Sequence, residues 1–132
     1  MAVTGQTVTR VDFVAIPTRD LERAADFYGN VLGLERSVYM PERHYAEFET
    51  GNVTLSVANF EQMGMEHRAS PNAIALHVED MEQARSRLEQ AGVTFAGDTF
   101  DTGVCHMSFF TDPDGNALML HHRYAPRVTE SG

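Results

Sequence analysis

The strongest constraint on this chain is that one pattern occurs in it twice. Residues 10–18 alternate, with Val14 and Ile16 on one face and Phe13, Ala15 and Pro17 on the other, as a strand with two usable faces does. A helical run follows: Asp20 suits an N-cap, Leu21, Ala24, Ala25, Tyr28 and Leu32 recur at helical spacing, and Gly33 ends it. Sixty residues further on, Ile74, Leu76 and Val78 alternate, Asp80 caps, Met81, Ala84 and Leu88 form the stripe, and Gly92 stops it. A separate shift places His44, Ala46 and Phe48 on His106, Ser108 and Phe110, so the connections differ in length where the modules agree.

Between these signals, residues 35–59 read as strands. Ala46 and Phe48 alternate against Tyr45 and Glu47, a turn falls at Gly51-Asn52, and Val53, Leu55 and Val57 alternate against Thr54 and Ser56. The last hairpin turns at Asp112-Pro113-Asp114-Gly115-Asn116, where Pro fixes φ and Gly tolerates a positive φ. Each module therefore reads βαβββ, and the class is α+β. We expect a single domain over residues 1–132, with modules at 10–60 and 73–122, a connector at 61–72, and polar, frayed tails at 1–9 and 123–132.

One helix can cover only one face of each sheet. Curving the two remaining faces into a shared half-barrel cleft would solve the exposure problem. Parity assigns Phe13, Ala15, Tyr45, Glu47, Thr54, Ser56, Ala73, Ala75, His77, Met107, Phe109, Met119 and His121 to that cleft. A concave, mostly apolar surface with a few polar points is the usual character of a small-molecule site.

Composition excludes several functions. A chain of 132 residues can bury a core without staples, and its single cysteine, Cys105, forms no internal bridge. No stretch reaches the roughly 20 apolar residues of a membrane span, and the first residues have no signal-peptide core, so a cytoplasmic location is expected. A net charge of −9 repels phosphate backbones and anionic membranes, which argues against nucleic-acid and membrane partners.

Three motifs, DLERAADFYGNVLGLE, DMEQARSRLEQAGV and FFTDPDGNALML, resemble the vicinal-oxygen-chelate superfamily, the glyoxalase/bleomycin resistance protein/dioxygenase fold. The similarity covers residues 11–121. It implies two βαβββ modules around a ligand cleft and a homodimer whose clefts are completed between subunits. In the family's metal enzymes, the resemblance implies, the first and last strand of each module each supply one ligand, His or Glu. Those positions fall here on Phe13, Ser56, Ala73 and Met119, none of which suits a hard divalent ion. The chain is thus closest in character to metal-free, bleomycin-resistance-like members, which sequester a drug.

The expected function is metal-free binding of an apolar or amphipathic small molecule, with antibiotic-like or cationic compounds among the candidates. The ligand-binding set is Phe13, Tyr45, Glu47, Ser56, Ala73, His77, Met107, Phe109, Met119 and His121. The alternative is an enzyme, with Glu47, His77 and His121 as catalytic candidates. It would be a lyase or dioxygenase holding a divalent transition metal at a displaced site, or a metal-free acid/base isomerase. Glu47 stands between two readings: a cleft carboxylate raised in pKa by apolar neighbours, or a solvated one at a strand edge. His44 and His106 are expected toward the helix side, near strand ends.

Overall fold

The structure is a computed structural model that describes residues 5–127; expectations for residues 1–4 and 128–132 lie outside it. It contains two four-stranded sheets. The first orders its strands β1 (Phe13–Pro17), β4 (Thr54–Ala58), β3 (Tyr45–Glu49) and β2 (Glu35–Met40). The second orders β5 (Ile74–His77), β8 (Ala117–Arg123), β7 (Cys105–Thr111) and β6 (Phe100–Asp101). In both, the first strand lies parallel to the last and the remaining pairs are antiparallel. The two modules thus share one topology, the α+β fold expected from the repeat.

Each helix begins as its sequence dictates. The Asp20 side chain accepts from the amide of Arg23 at the start of α1 (Leu21–Asp26), and Asp80 accepts from that of Gln83 at the start of α2 (Met81–Gln90). Gly33 and Gly92 follow the helical segments at φ of 76° and 98°, a region that favours glycine.

The first helical segment departs from a regular helix after Asp26. Residues Phe27–Val31 form a π-helical turn, in which the amide of Leu32 donates to the carbonyl of Phe27. Its wider spacing lets two consecutive rings, Phe27 and Tyr28, both be buried, with centroids 5.3 Å apart and planes at 83°. Gly29 then meets Phe48 so closely that an added Cβ would lie 3.4 Å from its ring.

One core joins the modules. The covered faces of both sheets contribute to it, Ile16, Phe48, Leu55 and Val57 from the first, Phe110, Leu118 and Leu120 from the second, with both helices between. Phe110 stands at the seam, 5.2 Å from the ring of Phe95 and 6.5 Å from that of Phe27.

The seam also carries a buried polar network, built on the β7–β8 turn. Asp112, 4% exposed, accepts from four donors: the Tyr28 hydroxyl at 2.6 Å, the Asn116 side chain at 2.8 Å, and the amides of Asp114 and Asn116. Asn116 in turn donates to the carbonyl of Pro17 in β1 and accepts from the amide of Ser70 in the connector. Asp114 accepts from the Thr18 hydroxyl, the Arg19 amide and the Arg23 guanidinium. Every polar atom of the Asp112 carboxylate is therefore satisfied by fixed protein donors, as burial demands.

Burial first, and then the Asp112 carboxylate, push the Tyr28 hydroxyl far above its ordinary titration range. The folded protein keeps that proton at a pH where the unfolded chain, with tyrosines near 10, releases it. Stability contributed by Tyr28 is then complete below pH ~10 and falls as pH rises, by about 1.4 kcal/mol per pH unit for one proton. Denaturation of the protein and of Tyr28→Phe at pH 7 to 11 should show their stability difference shrinking above pH ~10. A constant difference would refute the assignment.

His44 stands near a strand end, as expected, but outside the strand: it ends a 3-10 turn (Pro41–Arg43) in the left-handed region, φ 70°, directly before β3. His106 does lie in β7, so the match between the modules stops at this pair. Its ring packs 4.8 Å from that of Tyr124, whose hydroxyl donates to Asp101. The C-terminal side is also less frayed than expected, since β8 includes Arg123 and the amides of Tyr124 and Ala125 donate to the Val104 carbonyl.

Candidate functional site

Alternation leaves each sheet with a face that no helix covers. On the first, Phe13 pairs in register with Thr54 and Thr54 with Glu49; the next row runs Ala15, Ser56, Glu47. On the second, Ala75, Met119 and Phe109 form one row, and His77, His121, Met107 and Phe100 the next. All of these side chains are half-buried or exposed, whereas their sequence neighbours Ile16, Ala46, Phe48, Leu55, Val57, Phe110, Leu118 and Leu120 are buried.

The sequence-derived site residues thus fall into two groups. Phe13, Tyr45, Glu47 and Ser56 share the open face of the first sheet. His77, Met107, Phe109, Met119 and His121 share that of the second, with Ala73 just before β5 rather than in it. The structure therefore sets His77 beside His121 but puts Glu47 on the other sheet. Among the described residues, no hydrogen bond links Glu47 to either imidazole. His77 instead bonds Glu79 at 2.9 Å, and Cys105 is buried beside the Arg123 guanidinium.

The two faces differ in chemistry. The first is acidic and rich in hydroxyls: the Ser37 and Thr54 hydroxyls both donate to the Glu49 carboxylate, at 2.5 and 2.6 Å. Those bonds, Ser37's first, hold the Glu49 carboxyl below the usual range and keep it ionised. Parity with Glu47 points to Glu49, but nothing in the sequence points to Ser37, which reaches it from an irregularity in the pairing of β2 between Arg36 and Val38. The second face is apolar, with thioethers, rings and two imidazoles. Phe100, 57% exposed, belongs to it through its pairing with Met107, a position that no periodicity around residues 94–103 reveals.

Whether these faces suit a divalent ion can be judged from their donors. The positions to which the resemblance assigns metal ligands hold a phenyl ring, a hydroxyl, a methyl and a thioether. Among the described residues, no group of three or more His, Cys, Asp or Glu side chains is arranged to hold a metal. The residues present do not fit such an ion.

Residues 10–120 match the model of the glyoxalase/bleomycin resistance protein/dioxygenase superfamily, and the chain belongs to that family. Solved structures share its fold. A glyoxalase/bleomycin resistance protein/dioxygenase from Nocardioides is similar at 23% identity, 98% of this chain, 93% of that one and a TM-score of 0.75. The antibiotic-binding protein TnmS3 from Streptomyces sp. CB03234 is similar at 22% identity, 89% and 98% coverage and a TM-score of 0.75. A lactoylglutathione lyase from Agrobacterium tumefaciens is similar at 18% identity, 86% and 93% coverage and a TM-score of 0.73. At these identities the likeness speaks to fold alone. No protein of curated function matches the sequence. Among the described residues, no helix is long and apolar enough to cross a membrane.

Proposed function

We propose that this protein is a metal-independent, cytoplasmic binding protein that holds an apolar or amphipathic small molecule against its open sheet faces. The observation that carries this reading is the replacement of donor side chains by Phe13, Ser56, Ala73 and Met119 on faces that keep rings, thioethers and a fixed carboxylate. Such faces can stack a flat apolar group and pair a cationic one with Glu49 or Glu47, but offer no Lewis acid to polarise a substrate. The superfamily's fold, and the likeness to an antibiotic-binding protein from Streptomyces, are consistent with sequestration of an antibiotic-like compound.

The same faces favour a homodimer. Among the described residues, strands β1 and β5 each pair on one side only, so each presents an unpaired edge next to a partly apolar, uncovered face. A second copy that lays its second sheet beside the first sheet of this chain would pair both edges and create two equal clefts. One cleft would then carry carboxylates from one subunit and imidazoles and thioethers from the other.

Three measurements test the reading. Protein purified without chelator should carry only sub-stoichiometric transition metal, and sedimentation should give a dimer. In a thermal-shift screen of cationic aromatic and antibiotic-like compounds, a ligand at a hundred times its Kd should add about 2.7 kcal/mol of stability without metal and be recovered unchanged. Stoichiometric metal lost on changing His77 or His121 to Ala, or a ligand returned chemically altered, would establish an enzyme instead.

A further inference from the structure

The core described above has a flaw in one place. All but Leu21 and Val93 of the half-buried apolar residues packed against it line a single cavity between the modules, about 630 Å³ in volume. This space lies mainly on the covered side of the sheets, between the end of the first helical segment, β5 and α2, and it meets the open face of the second sheet only at Ala75 and His77 on the β5 edge. Its volume falls within the roughly 300–1,000 Å³ of small-molecule sites. Leaving this much aliphatic surface short of full burial forfeits stabilisation of roughly 25 cal/mol per Å² that a bound apolar group would restore.

The lining sets the chemistry of the occupant. Val14, Leu32, Leu34, Ile74, Leu76 and Ala84 typify its aliphatic majority; polar residues, Thr50, Asn52 and His77 among them, line the rest, and the lining holds no phenyl or phenol ring. Flexible chains pack against such aliphatic surface; a flat ring would find only the His77 imidazole, already bonded to Glu79, to stack on. At the mouth, the carboxylates are already engaged: Asp80 accepts from the Gln83 amide as the cap of α2, and Glu79 bonds His77. Arg87 is the one guanidinium lining the cavity, and among the described residues it takes part in no ion pair. Gln83 stands one helical turn before it, on the same side of α2.

We propose that this inter-module cavity binds a single-chain aliphatic carboxylate, with the chain between the modules and the carboxylate on Arg87 and the Gln83 amide. The guanidinium fork matches a carboxylate in two parallel hydrogen bonds, and the amide adds a third donor. This site does not depend on the open-face reading.

Decanoate is the probe, titrated calorimetrically into the full-length protein with decylammonium as the control of equal chain length. Decanoate should bind, and decylammonium should bind at least tenfold more weakly. Arg87→Gln, a change at an exposed position, should weaken decanoate about tenfold or more, and Ala84→Phe, which fills the cavity, should abolish binding. Should Ala84→Phe not fold, Ala84→Met serves in its place. In methyl spectra, decanoate should shift Val14, Leu76 and Ala84 while Met107 and Met119 on the open face stay still. The proposal fails if decanoate does not bind, if Arg87→Gln leaves its affinity unchanged, if decylammonium binds equally, or if the shifts centre on Met107 and Met119. It fails also if Ala84→Phe alters the sedimentation of the protein and not its decanoate affinity, since a second copy would then occupy the cavity.

Discussion

Asp112→Ala should destabilise the protein by about 3–5 kcal/mol, the range for removing one partner from a buried charged network. The change strands the Tyr28 hydroxyl, one of the two side-chain N–H groups of Asn116 and two backbone amides at a seam that solvent barely reaches. Tyr28→Phe removes a single donor and leaves the carboxylate three others, so about 1.5–3 kcal/mol is expected, the worth of one hydrogen bond to a charged group. Urea denaturation of both variants at pH 7 decides it: Asp112→Ala within 1 kcal/mol of the parent would mean that the network contributes little.

The second large effect is a contrast between neighbours. Phe110 is 3% exposed and touches rings from both modules, whereas Phe109, half-buried, looks onto the open face of the second sheet. Phe110→Ala should cost about 3–5 kcal/mol through lost transfer energy and an unfilled cavity. Phe109→Ala should cost about 1 kcal/mol, as partly exposed positions do. In binding, the order reverses. Phe109→Ala should weaken a ligand found by the thermal-shift screen about tenfold, from loss of a ring worth roughly 1.4 kcal/mol to the complex. Equal stability losses in the two variants would mean that the alternation along β7 has been assigned to the wrong faces.

The signals legible in the sequence are local ones. Asp20 and Asp80 announce helix starts because a carboxylate can reach an amide three residues on, and Gly33 and Gly92 announce stops because few other residues tolerate positive φ. The alternation of Val14 and Ile16, of Ala46 and Phe48, and of Phe110 with Phe109 separates covered from uncovered faces for the same reason. The resemblance to the superfamily rests on three motifs in order, and the match over residues 10–120 shows the membership.

The rest is decided by pairing at a distance. Periodicity at 3.6 treats residues 21–32 as one helix and misses the π turn, since only the contacts of Phe27, Tyr28 and Gly29 show why the wider turn is used. The alternation of Ala46 and Phe48 extends to His44 by spacing, but it does not show that Pro41 opens a 3-10 turn that His44 closes. Ser37 reaches Glu49 only through the irregular pairing of β2. Parity assigns Glu47 to the cleft along with the imidazoles, and only the pairing shows which sheet carries each, the first for Glu47 and the second for His77 and His121. The cavity between the modules had no sequence signature at all, because its walls are the same aliphatic residues that any helix or strand would turn inward.

The network at the seam also bears on how the chain is made. Tyr28 waits for an acceptor 84 residues downstream, Thr18 for one 96 residues away, and the carbonyl of Pro17 for a donor 99 residues away. A nascent first half emerging alone has its tyrosine hydroxyl unanswered and its apolar helix side bare, so neither half is a self-sufficient folding unit despite the duplicated pattern. Proteolysis within the connector ahead of Ser70 is accordingly expected to yield fragments that hold their shape only while they stay together.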